Sequence, residues 1–208
     1  MKKLFKFLVF LVLTLLLVGL ALAYFPVASK TNHASISEER AKVLREEFSD
    51  PHHFITTSDG ETLFLRRWNP DSSQAEKSKV AVLILHGITA YSGAYDMAGR
   101  PFSESGYVTF GLDYRGHGLS GGNRGDTPGL DRWIEDFGET VKYIKGLGFS
   151  EVVVLGHSLG VATAMLTANQ VPNEIAGLIL LSGAYEGRKG VSKEPTMLDK
   201  ARFFASAA

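Results

Sequence analysis

Cysteine is absent from this 208-residue chain, which excludes thiolate nucleophiles, Cys-ligated zinc, iron–sulfur clusters and a disulfide framework. No excess of one charge exists either, since 22 basic side chains face 22 acidic ones. That balance hides an asymmetry: Lys2, Lys3, Lys6 and Lys30 are the only charged residues before position 31, leaving 18 basic against 22 acidic groups beyond it. A slightly acidic body offers no footing for a polyanion, so nucleic acid is not expected as a partner. Histidines number six and none follows His157. His33, His52 and His53 have no acidic or histidine partner at ligand spacing, so no metal site is expected. What remains is an ordinary globular composition, 45% hydrophobic with 22 glycines. It is enough for one domain, or one and a fragment.

Long apolar character is confined to the start. From Phe7 to Phe25 the chain reads FLVFLVLTLLLVGLALAYF without a charge. As a helix this stretch is about 28 Å long, close to the hydrocarbon thickness of a bilayer. Residues 1–30 therefore read as a transmembrane anchor or a signal peptide. The length favours an anchor, whereas the short basic start and the small-x-small pattern Ala21-Leu22-Ala23 favour cleavage. Lysines before the stretch favour an N-terminus in the cytoplasm and a body outside it, membrane-anchored, or secreted or periplasmic after cleavage.

Residues 31–53 read as a charged linker, with a short helix that opens on a Ser35-x-x-Glu38 capping box. Next, Phe54 to Trp68 is β-rich on both sides of Asp59-Gly60, a hairpin signal. Continuous apolar runs follow at Val80–Leu85, Tyr107–Leu112, Val152–Leu155 and Ile175–Leu181. Such runs suit strands buried on both faces. Helix-length segments lie between them, at about 94–105, about 130–145 and 159–170. The alternation predicts an α/β fold, a mostly parallel sheet with helices on both faces. Near the end, Thr196 could cap a helix with Met197, Leu198, Ala201 and Phe204 on one side.

Chemistry concentrates at Gly156-His157-Ser158-Leu159-Gly160, a G-x-S-x-G directly after a buried run and directly before a helix-forming stretch. A tight strand-to-helix turn of this kind holds the serine in a strained conformation with its hydroxyl exposed, and Gly156 and Gly160 let backbone segments pass closely. The helix then starts beneath a reacting carbonyl, where its free amides and dipole favour an oxyanion. Ser158 is the candidate nucleophile. His86-Gly87-Ile88 ends the run Val80–Leu85, so the backbone N–H groups of Ile88 and Leu159 form the candidate oxyanion hole. Gly116-x-Gly118-x-x-Gly121 matches a dinucleotide fingerprint, but further glycines and Pro128 follow it, not a helix. No nucleotide is expected there.

Taken together, His86-Gly87-Ile88, Ser92-Gly93-Ala94-Tyr95, Asp113-Tyr114-Arg115-Gly116-His117-Gly118 and Gly156–Gly160 resemble the monoacylglycerol lipase and lysophospholipase branch of the α/β-hydrolases, also described as serine aminopeptidase-like. The resemblance covers about residues 54–185. It implies an α/β-hydrolase core over 54–190, the start of a cap or lid over 191–208, and hydrolysis of a small-molecule ester or lipid, with no metal or organic cofactor and no indication of a protein partner. By resemblance the Asp113–Gly125 stretch is a structural loop, and Asp113, Arg115 and His117 have no catalytic role.

The resemblance also exposes a gap. In this fold the triad runs Ser, then Asp or Glu, then His, yet no histidine follows Ser158. The catalytic acid and histidine are thus not found in this chain. Glu174, Glu186, Glu194 and Asp199 follow the serine, but none comes after a further strand. Two main expectations remain open, a chain cut at its C-terminus, with the last strands missing, or a non-catalytic binding or scaffold protein; an unusual base such as His117, or one supplied in trans, is a third. The apolar run Ile175–Leu181, which as a last strand leaves a hydrophobic edge, favours the first. In either main case the 208-residue chain alone is predicted inactive. Peptidase and thioesterase chemistry on the same fold stay open alternatives.

Overall fold

The computed structural model describes residues 6, 10–14, 16, 36–71, 79–126 and 129–183. Two compact units result, one of residues 35–185 and one of residues 1–34 with 186–208. Of the anchor-or-signal stretch Phe7–Phe25 only residues 10–14 and 16 are described, all of them helical, and the cap segment 191–208 and the helix expected after Thr196 lie outside the described residues. Among the described residues no helix is long and apolar enough to cross a membrane.

The unit 35–185 opens with helix α1 (Glu38–Glu47). Its cap is Ser37 and not the expected Ser35. Ser37 has an extended backbone, and its hydroxyl accepts the Arg40 N–H at 3.2 Å. That bond satisfies one of the helix's free amides. The helix docks on the body: Ala41 is fully buried, and the Arg45 guanidinium donates to the Leu119 carbonyl at 3.0 Å.

Among the described residues six strands follow: β1 (His52–Thr56), β2 (Thr62–Trp68), β3 (Val80–Leu85), β4 (Val108–Leu112), β5 (Glu151–His157) and β6 (Ile175–Leu181). They form one sheet in the order β1-β2-β4-β3-β5-β6. The hairpin β1–β2 is antiparallel and joins antiparallel to β4. From β4 through β3 and β5 to β6 all pairing is parallel. Parallel neighbours need crossovers, and helices supply them: α2 (Asp96–Glu104), α3 (Leu130–Gly146) and α4 (Leu159–Gln170).

Alternate side chains sort the core onto two faces. Ala81, Leu83 and Leu85 of β3 pack with Phe137, Val141 and Ile144 of α3 and Ala164 of α4. Val82 and Ile84 pack on the other face with Trp68 and Leu155, against Ala98 and Phe102 of α2. The central strand is covered on both sides, as its unbroken apolar sequence requires. β6 is not: Leu178 and Leu180 are 38% and 43% exposed.

Candidate active site

The loops at the C-terminal ends of β3 and β5 converge on Ser158. This serine joins β5 to α4 with φ 54° and ψ −115°, a region that L-residues avoid and that only surrounding structure can enforce. The neighbouring glycines make the bend possible. A Cβ on Gly156 would run into the Gly160 carbonyl, and one on Gly160 into the Leu85 carbonyl at the end of β3. Ser158 stands at the helix N-cap, where a serine hydroxyl ordinarily accepts a backbone amide. Here it makes no capping hydrogen bond, and among the described residues the hydroxyl has no hydrogen-bond partner. The turn is tied instead through the backbone: the Ser158 N–H donates to Leu181 O of β6 at 3.0 Å, and its carbonyl accepts from Val161 N–H at 3.1 Å.

The loop after β3 closes on the serine from the opposite side. A Cβ on Gly87 would lie 3.2 Å from the Ser158 Cβ, so any larger residue would have to push the serine by a few tenths of an ångström. A turn closed by Ala90 N–H on Gly87 O at 3.3 Å follows, and its third residue, Thr89, has φ 57°. Between them, Ile88 presents an exposed side chain. Among the described residues, the backbone N–H groups of Ile88 and Leu159 have no hydrogen-bond partner. The two expected oxyanion donors thus flank the turn as free amides, one from each loop.

The imidazole of His86 fixes the Gly87–Ile88 peptide. Its Nδ1–H donates to Gly87 O at 2.7 Å, while Nε2 accepts the Tyr114 N–H at 3.2 Å. Both contacts require the neutral ring. Burial agrees, holding the pKa down at about 4, and the ring stacks on Tyr114 at 3.7 Å between centroids. Since C=O and N–H of a trans peptide point opposite ways, anchoring Gly87 O turns the Ile88 N–H away from His86.

Tyr95 adds a contact that the sequence did not announce. Its hydroxyl accepts the Gly87 N–H at 2.8 Å and meets His157 Nδ1 at 2.8 Å. Nothing local signals it, because the partners lie 8 and 62 positions away.

The loop after β4 supports the site from below. Asp113 is fully buried and accepts the Ser92 N–H at 2.5 Å and the Leu119 N–H at 2.7 Å. Burial raises its pKa against these amides, which favour the charged form. Arg115 engages Asp136 at 2.8 Å and Asp59 at 2.9 Å. His117 donates Nδ1–H to Arg115 O at 3.0 Å. Gly116 and Gly118 lie in a loop with positive φ, and α3 begins only at Leu130. The dinucleotide-like spacing therefore has no helix N-terminus behind it.

Among the described residues no group of three or more His, Asp or Glu side chains could hold a metal ion. A cavity of about 670 Å³ opens between α1 and the loop 115–126, and no residue of the Ser158 turn or the Gly87 loop lines it.

Comparison with known proteins agrees with this geometry. The family model Hydrolase_4, described as serine aminopeptidase S33, matches residues 76–207. The chain is 32% identical over 133 residues to a monoglyceride lipase of Homo sapiens, covering 64% of this chain and 42% of that protein. It is 29% identical over 130 residues to a monoacylglycerol lipase of Mycolicibacterium smegmatis, covering 60% of this chain and 44% of the relative. It thus spans less than half the length of these relatives. Among solved structures, the ferulic acid-bound Est1E of Butyrivibrio proteoclasticus superposes with a TM-score of 0.57 at 29% identity, over 64% of this chain and 53% of that one.

Proposed function

Because the chain belongs to the α/β-hydrolase family described as serine aminopeptidase S33, we propose that it carries the nucleophile half of a serine hydrolase active site for carboxylic esters. The substrate class is a small-molecule ester or lipid, most like a monoacylglycerol or lysophospholipid. The observation that carries the proposal is Ser158 itself, an uncommitted hydroxyl on a strained strand-to-helix turn beside the free amides of Ile88 and Leu159. In the reaction the Ser158 oxygen attacks the ester carbonyl and its proton passes to a base. The Ile88 and Leu159 N–H groups hold the negative oxygen of the tetrahedral adduct. Loss of the alcohol leaves an acyl-serine, which water opens to release the acid.

Among the described residues no base is in place on the serine. His86 is engaged at both ring nitrogens, the described bonds of His117 and His157 run to the Arg115 carbonyl and the Tyr95 hydroxyl, and no histidine follows Ser158, where the base of this fold stands. A serine without a base is a weak nucleophile at neutral pH. We therefore propose that the 208-residue chain alone is nearly inactive. The apolar stretch Phe7–Phe25 supports a further proposal, a body outside the cytoplasmic membrane, anchored by that stretch or released after its cleavage.

Hydrolysis of p-nitrophenyl butyrate by the purified chain, with and without added imidazole as an external base, tests both points. Slow hydrolysis is expected alone, with an increase on adding imidazole that exceeds the reagent's own rate and vanishes in Ser158→Ala. Equal rates for the chain and Ser158→Ala under both conditions would reject Ser158 as nucleophile and favour a non-catalytic binding role. Fast Ser158-dependent turnover without imidazole would show that the chain holds its own base.

A further inference from the structure

The oxyanion loop has an inherent weakness. Gly87 is favoured as glycine, because a Cβ there would crowd the Ser158 Cβ at 3.2 Å. Yet glycine is the residue with the greatest backbone freedom, and it immediately precedes the Ile88 amide that the proposed chemistry needs in a fixed direction. Misplacing a donor by about 1 Å can cost on the order of 10²-fold in rate. Something must remove that freedom.

We propose that Tyr95 is the positioning residue of this site, its hydroxyl clamping the Gly87 amide and the His157 imidazole at one point. The inference rests on the reading of Ile88 and Leu159 as oxyanion donors. The geometry is specific. A phenolic oxygen has one proton and room for two accepted bonds. The Gly87 N–H occupies one acceptor position at 2.8 Å, and the contact to His157 Nδ1, also 2.8 Å, takes a second direction. On the other side of the same residue, Gly87 O is held by His86 Nδ1–H at 2.7 Å. The peptides before and after the Gly87 Cα are therefore each anchored by a side chain, and the free rotations about that atom are blocked.

The second partner gives the clamp its reach. His157 directly precedes Ser158, so one hydroxyl joins the loop that presents the Ile88 amide to the turn that presents the serine and the Leu159 amide. These loops leave the paired strands β3 and β5, whose register ends at Leu85 and Gly156, and the hydroxyl carries that alignment beyond the sheet into the loops. Tyr95 is itself held. Its ring is half-buried against the cluster of Trp68, Val82, Ile84 and Leu155, and it meets the His157 ring edge-on at 5.8 Å between centroids. Asp113 fixes the preceding turn by accepting the Ser92 N–H. Tyr95 touches no reacting atom in this scheme; it acts through Gly87 and His157.

Tyr95→Phe removes the oxygen and keeps the ring, and two readouts on the 208-residue chain test it. In the ¹⁵N spectrum, the Gly87 amide and the His157 ring nitrogens are expected to shift, and the Gly87 amide to exchange with solvent at least tenfold faster. In imidazole-assisted hydrolysis of p-nitrophenyl butyrate, kcat is expected to fall about tenfold with KM changed less than twofold, a split that general loosening does not produce. Ile88→Pro, which deletes the donor itself, serves as the reference for the hole. Unchanged Gly87 and His157 signals in Tyr95→Phe would overturn the clamp. So would unchanged kcat in Tyr95→Phe where Ile88→Pro abolishes the reaction. If Ile88→Pro and Ser158→Ala both leave hydrolysis unaltered, the oxyanion reading has failed. The spectrum then decides by itself whether the clamp exists.

Discussion

Ser158 occupies a backbone conformation that β-carbon-bearing residues reach only at a cost of about 1–3 kcal/mol. The cost is borne by the surrounding sheet and helix, and it keeps the hydroxyl off the N-cap amide that would otherwise attract it. Ser158→Gly is expected to raise the stability of the chain by about 1 kcal/mol, or roughly 3 °C in melting temperature, whereas Ser158→Ala keeps the strain and leaves the melting temperature near that of the parent. Differential scanning calorimetry of the two variants reads the difference. His86 makes a second prediction at this scale. Its folded pKa of about 4 lies below its ordinary 6.5, so the unfolded chain binds the proton more readily between these values. The stability that His86 contributes is therefore complete above about pH 6.5 and is lost as the pH falls toward 4, by roughly 3 kcal/mol in all. Ring titration by NMR, with urea midpoints at several pH values, checks both the midpoint and the sign.

At the scale of elements, one ionic cluster joins three pieces of the fold. Arg115, on the loop after β4, donates through Nε and Nη2 to the two carboxylate oxygens of Asp136 on α3, and Nη2 also reaches Asp59 in the β1–β2 turn. Arg132 adds a contact to Asp136 at 3.0 Å. The Arg115 and Asp136 side chains are only 6% and 2% exposed, so solvent cannot replace a missing partner. Arg115→Ala is expected to cost about 3 kcal/mol, because it removes the forked partner of a buried carboxylate and leaves Asp136 only the Arg132 contact. Lysine at 115 recovers little of that loss, since a single ammonium cannot reproduce the forked contact. Urea unfolding of Arg115→Ala and Arg115→Lys measures both. Elements announced by continuous local pattern were legible in advance. Val80–Leu85 and Ile175–Leu181 are strands over those same residues, and 159–170 is a helix over the expected span, because an apolar run or a helix start after a glycine-flanked turn is written in adjacent residues. The α1 cap lies two positions beyond the expected Ser35, at Ser37, since both serines precede Glu38 and the local pattern suits either.

Across the whole molecule, legibility fades with sequence distance. The serine turn and the His86-Gly87-Ile88 loop could be read from short motifs, each carrying its own steric logic. The Tyr95–His157 contact, the Arg115 cluster and the sheet order could not, since hydrogen bonds spanning 20 to 60 positions leave no periodicity behind. One link of that long-range kind governs the durability of the serine turn. The Ser158 amide hangs on Leu181 at the end of β6, the half-covered strand at the margin of the sheet among the described residues. Whenever that border strand peels away, the bend before α4 loses its tether, so the reactive oxygen keeps its aim only as long as the sheet's outermost seam stays shut.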